Sequence, residues 1–339
     1  MTVSLAQYLE AVPEPVVRRL CDARRVLAVS HENPDADTLG AALAICRITE
    51  ALGASATPVC TDPIPPLYDY LPGVERFRTD PDPAVDYDLL VISDCGSIDR
   101  IGAVRERHAA LFEALPRLVV DHHASNAAVA ATDWVDPMSA ATCEMTTLLT
   151  VRLGIPLDEG GGALATALMS GIVMDTATFA HPNTTPRTLT VAAALVEAGA
   201  PLSDISRRLY RTKPEAQLKL FGRVLERLQT TAGGKIIHST LTDADIDAAG
   251  ALPAHGEGII DLLAQAEEAD VAILFKEAGD GTRISVRTRP NGVDATVLTG
   301  HFGGGGHARA AGATIERRLD EARVAVLAEA EKLVAAIAR

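Results

Sequence analysis

The chain has 339 residues, 47 % of them hydrophobic and only 4 % aromatic, with a formal net charge of −14. That length accommodates two domains, and the apolar share supports a sizeable core and excludes wholesale disorder. The acidic balance excludes the global basic footprint of a protein that binds long nucleic acid, although bound divalent metals can invert the local sign for a small anionic substrate. The five cysteines, Cys21, Cys46, Cys60, Cys95 and Cys143, form no C-x-x-C pair. They suggest neither a disulfide framework nor a zinc knuckle, and they fit a reducing compartment. Glu10, Glu14, Arg18 and Arg19 argue against a signal peptide, and no run of about 20 apolar residues offers a membrane span. The expectation is a soluble cytoplasmic protein with no membrane partner.

Residues 5–23 read as one amphipathic helix or two, broken near Pro13 and Pro15. The apolar run Val26–Val29 predicts a strand at about 25–30, and a helical pattern after the next polar turn extends to Gly53. A second strand is expected over Ala54–Thr61, followed by a loop rich in proline and aspartate. Asp88–Asp94 is a short apolar run with polar ends, as in a strand buried within a parallel sheet. A helix is expected near 102–115. Arg117–His123 repeats the plan, strand first and polar residues at its end. Helices follow at about 139–153, 163–179 and 186–200, and Leu202–Gln229 reads as a helical connector. Strands are then expected at Lys235–Leu241, Asp270–Lys276 and Thr282–Thr288, with helices near 255–266, 294–301 and 319–338. Strands alternating with helices predict an α/β fold: an N-terminal parallel sheet with helices on both faces, and a smaller C-terminal α/β domain. The domain limits read from this pattern are 1–200, a connector over 201–230, and 231–339.

Chemistry-bearing residues collect at the strand ends. His31-Glu32-Asn33-Pro34-Asp35-Ala36-Asp37-Thr38-Leu39-Gly40 follows the first strand, where open α/β sheets hold their ligands. Asp35 and Asp37 have two readings here, caps of the next helix or metal ligands. Asp94 ends another strand, and alone it reads as a turn residue. Asp121-His122-His123 ends a third. Asp175 stands between Ile172, Val173, Met174 and Phe179, and a buried carboxylate there needs a partner. In a parallel sheet the first three clusters converge on one edge. Hard oxygen donors mixed with imidazole suit Mn²⁺ or Mg²⁺, with Fe, Co and Zn admissible. So many carboxylates repel one another unless cations intervene, and two divalent ions would both resolve that and clamp a phosphoryl displacement.

A second constellation runs from His301 to Gly312 and contains Gly303, Gly304, Gly305, Gly306, His307 and Ala310-Ala311-Gly312. Successive glycines let backbone N–H groups approach an anion, though a plain flexible loop has the same composition. Between residues 283 and 312 stand four arginines, Arg283, Arg287, Arg289 and Arg309, against one acidic residue, Asp294. In so acidic a chain this points to phosphate or carboxylate recognition.

With these residues the sequence resembles the DHH phosphoesterase family, whose name describes the run Asp121-His122-His123. His31…Asp35-x-Asp37, Asp94, Asp121-His122-His123 and Asp175 match the family's four motifs in order. The glycine run with His307 and Ala310-Ala311-Gly312 resembles its C-terminal DHH-associated domain, and length and domain plan are most similar to the nanoRNase/pAp-phosphatase branch. The resemblance implies two divalent ions, Mn²⁺ first with Mg²⁺ or Co²⁺ admitted. One would be held by His31, Asp35 and Asp94, the other by Asp37, Asp94, His122 and Asp175, with Asp94 bridging. It further implies that His123 touches the scissile phosphate or assists the leaving oxygen, and that Asp121 orients the histidines. Arg287, Arg289, Gly303–Gly306 and His307 would grip the substrate across an interdomain cleft. The implied activity is hydrolysis of short oligoribonucleotides to 5′-mononucleotides and of pAp to AMP, by in-line attack of a metal-bound hydroxide. Partners would be short RNA or small nucleotides, and a homodimer is compatible. Cyclic or linear dinucleotide hydrolysis, pyrophosphatase activity and a non-catalytic nucleotide-binding regulator are the alternatives. One departure stands out: relatives often carry a glycine and an arginine after the last aspartate, and here the run is Thr176-Ala177-Thr178-Phe179-Ala180-His181. That departure bears on substrate preference and leaves the ligand set intact.

Overall fold

The computed structural model describes residues 3–126, 132–290 and 292–337. They form two compact units, the first ending at Thr212 and the second beginning at Lys213.

The first unit is built on five short strands: β1 (Arg25–Val29), β2 (Ser55–Val59), β3 (Leu89–Ser93), β4 (Arg117–Asp121) and β5 (Trp134–Val135). Their order is β2-β1-β3-β4-β5, and every neighbouring pair is parallel. Alternate residues of the apolar runs enter two different cores. Val26, Ala28, Val91, Leu118 and Val120 pack on one side, with the helices Ala36–Ala51, Thr142–Arg152 and Ala163–Asp175. Leu27, Val29, Leu90, Ile92 and Val119 pack on the other, with Ile101, Val104 and Phe112. Burial on both faces explains why these strands read as continuous apolar runs rather than as alternating ones. The chain runs from β1 outward to β2 and then crosses to β3 on the other side of β1. That reversal opens a crevice at the carboxyl ends of β1 and β3.

Several elements depart from the sequence expectations. The helix expected over 163–179 stops at Asp175, because Ala177, Thr178 and Phe179 adopt left-handed φ of 47°, 58° and 65°. Such a run costs about 1–2 kcal/mol per non-glycine residue. It is held by Thr176, whose Oγ1 accepts the Phe179 N–H at 2.9 Å and whose carbonyl accepts those of Ala180 and His181. The helix expected over 102–115 breaks at His108 into Ala103–Arg107 and Ala109–Ala114. Leu202–Gln229 is not one helix. Leu202–Ser206 leads into a π-helical turn, Arg207–Arg211, and Pro214 precedes a separate helix, Glu215–Glu226. Among the described residues no single helix is long and apolar enough to cross a membrane.

The second unit holds a mixed sheet of β6 (Gln229–Thr231), β7 (Ile236–Leu241), β8 (Val271–Ala278), β9 (Gly281–Thr288), β10 (Gly305–His307) and β11 (Ala310–Ile315), in the order β10-β11-β9-β8-β7-β6. Only β7 and β8 pair in parallel. Val271, Ile273, Phe275, Ile284 and Val286 pack on the face that the final helix, Leu319–Ile337, covers through Ala322, Val326 and Ala330; residue 338 of the expected helix lies outside the described residues. Ile237, Ala272 and Leu274 face Leu220, Val224 and Ile260 on the other side. β6, β10 and β11 and the helix Asp243–Ala249 carry no strong apolar periodicity and were not among the expected elements.

Helices Ala36–Ala51 and Ala163–Asp175 approach closely at two glycines. A Cβ on Gly40 would lie 2.4 Å from the Ala167 carbonyl oxygen, and one on Gly171 would lie 2.2 Å from Asp37 Oδ1. Gly40→Ala is predicted to lower the urea midpoint of the first unit. Overpacking costs about 1–3 kcal/mol, which outweighs the helix-propensity gain of about 1 kcal/mol. A midpoint at or above that of the parent chain would contradict this packing.

Candidate active site

The site is assembled at the carboxyl ends of β1, β3 and β4. β1 ends at Val29, and His31 follows with its N–H held by Thr38 Oγ1 at 3.2 Å. Asp35 then caps the helix Ala36–Ala51: its Oδ1 accepts the N–H groups of Asp37 and Thr38 at 2.9 and 3.1 Å. Its second oxygen lies 3.8 Å from His31 Nε2. The cap reading and the ligand reading of Asp35 therefore fall on different oxygens of one carboxylate. Asp37 does not cap its own helix. It caps another, accepting the N–H groups of Thr142 at 2.7 Å and Cys143 at 2.9 Å.

Asp94 follows β3 directly and leaves it in the left-handed region, with φ of 57°. Aspartate is among the few residues that tolerate this conformation. Its carboxylate is the meeting point. One oxygen lies 3.6 Å from His31 Nε2 and the other 3.4 Å from His122 Nε2. Thr142 Oγ1 donates to that second oxygen at 3.1 Å. His122 Nε2 also lies 3.1 Å from Asp175 Oδ2, at the last residue of its helix. Donor atoms thus fall into three overlapping groups: His31, Asp35 and Asp94; Asp37, His122 and Asp175; and Asp94 with His122 and His123.

The histidines are fixed through their other nitrogens. His31 Nδ1 lies 2.6 Å from the Glu32 carbonyl and His122 Nδ1 lies 3.4 Å from that of Ser139, whereas His123 uses one nitrogen for both contacts, its Nδ1 lying 2.8 Å from Asp121 Oδ1 and 3.5 Å from Asp94 Oδ1. Asn126 in turn donates to the other Asp121 oxygen at 2.8 Å. Anchoring Nδ1 on a carbonyl and presenting Nε2 to a cluster of carboxylates is the usual arrangement of a metal-ligating histidine.

Electrostatics point the same way. Burial raises the pKa of Asp37 well above its ordinary value, and the Asp94 and Asp175 charges add to it. Burial likewise raises Asp175 to about 6, against the opposing pull of His122. Burial also works against Asp94, but contacts with His122 and His31 win and hold it below its ordinary value. His122 resists burial and is pushed up to about 12 by Asp175 and Asp94. Four crowded carboxylates, Asp37 and Asp94 buried and Asp35 and Asp175 partly exposed, disturb one another strongly beside two anchored imidazoles and are a donor set suited to divalent cations.

The second set of sequence candidates lies in the second unit. Arg287 on β9 pairs in register with Ala310 on β11, which pairs with His307 on β10. Directly paired residues share a face, so Arg287 and His307 occupy one row with a small alanine between them. Arg287 Nε also donates to Asp261 at 2.8 Å. Arg289 is turned to the Ala266 carbonyl, to which its Nη2 donates at 2.7 Å. The glycine run is not an open cradle. The N–H groups of Gly303 and Gly304 donate to the carbonyls of Gly300 and Thr299, and Gly305–His307 is a strand. A Cβ at Gly304 would lie 2.2 Å from the Gly312 carbonyl oxygen, so close strand packing alone demands glycine there.

Sequence reasoning missed Thr142, Ser139 and the buried Glu144 with its partner Arg187. Glu144 is the one charged residue of its helix before Arg152 in the last turn, set among apolar and threonine residues, which is a signal that it has a partner. No arginine stands near position 180; Arg187 faces Glu144, Asp136 and Ser139 instead.

A parallel α/β sheet that gathers carboxylates and imidazoles at its switch point is suited to hold divalent cations. Residues 25–172 match the DHH family, N-terminal domain, and residues 222–336 match the DHHA1 domain. The chain is 31 % identical over 324 residues, 95 % of its length and 91 % of the relative's, to a bifunctional oligoribonuclease and PAP phosphatase of Thermus thermophilus. A Bacillus subtilis protein of the same name is 25 % identical over 84 % of this chain and 87 % of its own. An exopolyphosphatase-related protein of Bacteroides fragilis has the same fold, with a TM-score of 0.86 at 19 % identity over 96 % of this chain and 98 % of that one. The chain belongs to the DHH family of phosphoesterases, hydrolases that act on phosphoester bonds.

If His122 ligates a metal its ring must be neutral, whereas Asp175 and Asp94 push its pKa up to about 12 and favour the protonated ring. Binding therefore releases protons, and affinity rises with pH. Titration calorimetry with Mn²⁺ in buffers of different ionisation enthalpy is expected to show release of about one proton or more near neutral pH. Heats that do not depend on the buffer would contradict that electrostatic reading.

Proposed function

We propose that this phosphoesterase degrades short oligoribonucleotides to 5′-mononucleotides and removes the 3′-phosphate of pAp. One observation carries the reading: two donor groups, His31–Asp35–Asp94 and Asp37–His122–Asp175, meet through Asp94 and His122. The full-length likeness to a bifunctional oligoribonuclease and PAP phosphatase supports the substrate class. His31, Asp35 and Asp94 would hold one divalent cation, and Asp37, Asp94, His122 and Asp175 the other, with Mn²⁺ the preferred metal. When bound, such a pair supplies Lewis acidity and offsets phosphoryl charge.

The chain's own residues do the rest. Asp94 serves both positions. Asp121 accepts from His123 Nδ1 and favours the protonated ring, so that Nε2–H can give its proton to the departing oxygen and leave a neutral imidazole. Arg287 and His307 bind the anionic end of the nucleotide, and the short row between them suits a small ligand rather than a long strand. The unpaired state of all five cysteines agrees with a cytoplasmic site of action.

Two measurements test this. With Mn²⁺, pAp, pApA and a five-nucleotide RNA are expected to be hydrolysed, and cyclic di-AMP and pyrophosphate to be poor substrates. Pyrophosphate as the preferred substrate would refute the reading. Asp94→Asn should cost about 10³-fold in turnover, the several kcal/mol that metal ions contribute. Arg287→Ala should instead raise KM about tenfold with little change in kcat, as the loss of one charge-assisted contact. Full activity of Asp94→Asn would remove the shared carboxylate from the mechanism.

A further inference from the structure

The loop from β5 to the helix Thr142–Arg152 runs past the site as a strap over residues 136–141. Each member of one donor group is tied to it or to the turn that follows. Asp37 accepts the N–H groups of Thr142 and Cys143 at 2.7 and 2.9 Å. His122 Nδ1 faces the Ser139 carbonyl at 3.4 Å. Asn183 Nδ2 bridges the carbonyls of Ala140, at 3.1 Å, and Asp175, at 3.2 Å. Among the described residues, the other group, His31 with Asp35 and Asp94, is hydrogen-bonded to this segment through the Thr142 hydroxyl on Asp94 alone.

One guanidinium holds the strap. Arg187 lies in the first turn of the helix Pro186–Glu197, after a Thr185 cap. Its Nη2 donates to Asp136 Oδ2 at 3.0 Å and to Ser139 Oγ at 2.7 Å, and its Nε donates to Glu144 Oε1 at 2.5 Å. Glu144 is completely buried, and its other oxygen accepts from the Ala140 N–H at 3.2 Å and from Thr188 Oγ1 at 2.8 Å. A buried ion pair is a poor device for stability alone, because a well-packed apolar pair often does as well. A planar fork held against three acceptors does fix direction. Here the direction fixed is that of the Ser139 carbonyl and of the amides that receive Asp37.

We propose that Arg187 and Glu144 form a latch that positions the strap and thereby orients Asp37, His122 and Asp175, so that the latch serves one of the two metal positions and not the other. Both are positioning residues. Without the latch, the Ser139 carbonyl no longer selects the His122 tautomer, and the amides no longer restrain the Asp37 carboxylate. Partners of this kind are worth about 10–100-fold in metal affinity.

The proposal rests on the two-metal reading of the site, and one experiment separates their failures. The full-length chain and the double variant Arg187→Met/Glu144→Leu are titrated with Mn²⁺ by calorimetry and followed by electron paramagnetic resonance. Removing both charges together leaves only Asp136 without its cation, and that carboxylate is partly exposed and still accepts from the Met138 N–H and Ser139 Oγ, so the metal-free variant is expected to fold. The parent chain is expected to bind two ions with a spin-coupled spectrum. The variant is expected to keep one site at parental affinity, to weaken the other about 10–100-fold, and to show isolated Mn²⁺ at one equivalent. Arg187→Lys keeps the charge and loses the fork. It should show the same selective loss in milder form, and it carries the test if the double variant does not fold. Equal weakening of both sites, or no weakening of either, overturns the latch. A parent chain that binds fewer than two ions overturns the site reading and the latch with it.

Discussion

The constraint on which the rest depends is the crowding of Asp35, Asp37, Asp94 and Asp175 around two imidazoles. Like charges at this spacing in a buried site cannot all stay ionised without cations. The local fold is arranged to tolerate that crowding. Helix N-termini supply backbone donors to Asp35 and Asp37, where a negative charge is best accommodated. Asp94 is set by a left-handed turn between His31 and His122. Asp175 closes a helix, and the strained turn after it is fastened by its neighbour Thr176. Strain and buried charge at one place mark a site whose geometry has a use beyond stability.

Much of this was legible because parallel strands are short, apolar and end abruptly in polar residues. The runs at Val26–Val29, Asp88–Asp94 and Arg117–His123 announce both the sheet and the edge where His31, Asp94 and His122 are brought together. The choice between cap and ligand for Asp35 could not be settled from sequence, since both are carboxylate functions. The structure shows one oxygen capping and leaves the other beside His31. Asp37 caps a helix that begins 105 residues further on, and no local pattern could reveal that.

Other features were hidden for physical reasons. Ala177, Thr178 and Phe179 have no composition that signals a left-handed turn, so the helical pattern runs past the true end of the helix at Asp175. β10 and β11 are built from glycine, alanine and histidine and lack the apolar alternation by which strands are recognised. The glycines there read as an anion cradle, whereas the N–H groups of Gly303 and Gly304 are committed to carbonyls and Gly305 and Gly306 stand in the ladder with β11. What the hairpin does provide is register, which sets Arg287 and His307 in one row on the second unit's sheet. Arg187 and Glu144 lie 43 positions apart, and only their shared burial joins them.

The central claim is that Asp35 and Asp37, two positions apart in sequence, serve different cations joined by Asp94. Anomalous diffraction from crystals grown with Mn²⁺ tests it most directly. Two peaks are expected roughly 3.5–4 Å apart, one bounded by His31, Asp35 and Asp94 and the other by Asp37, His122 and Asp175. A single peak shared by Asp35 and Asp37, or none among these residues, would contradict it.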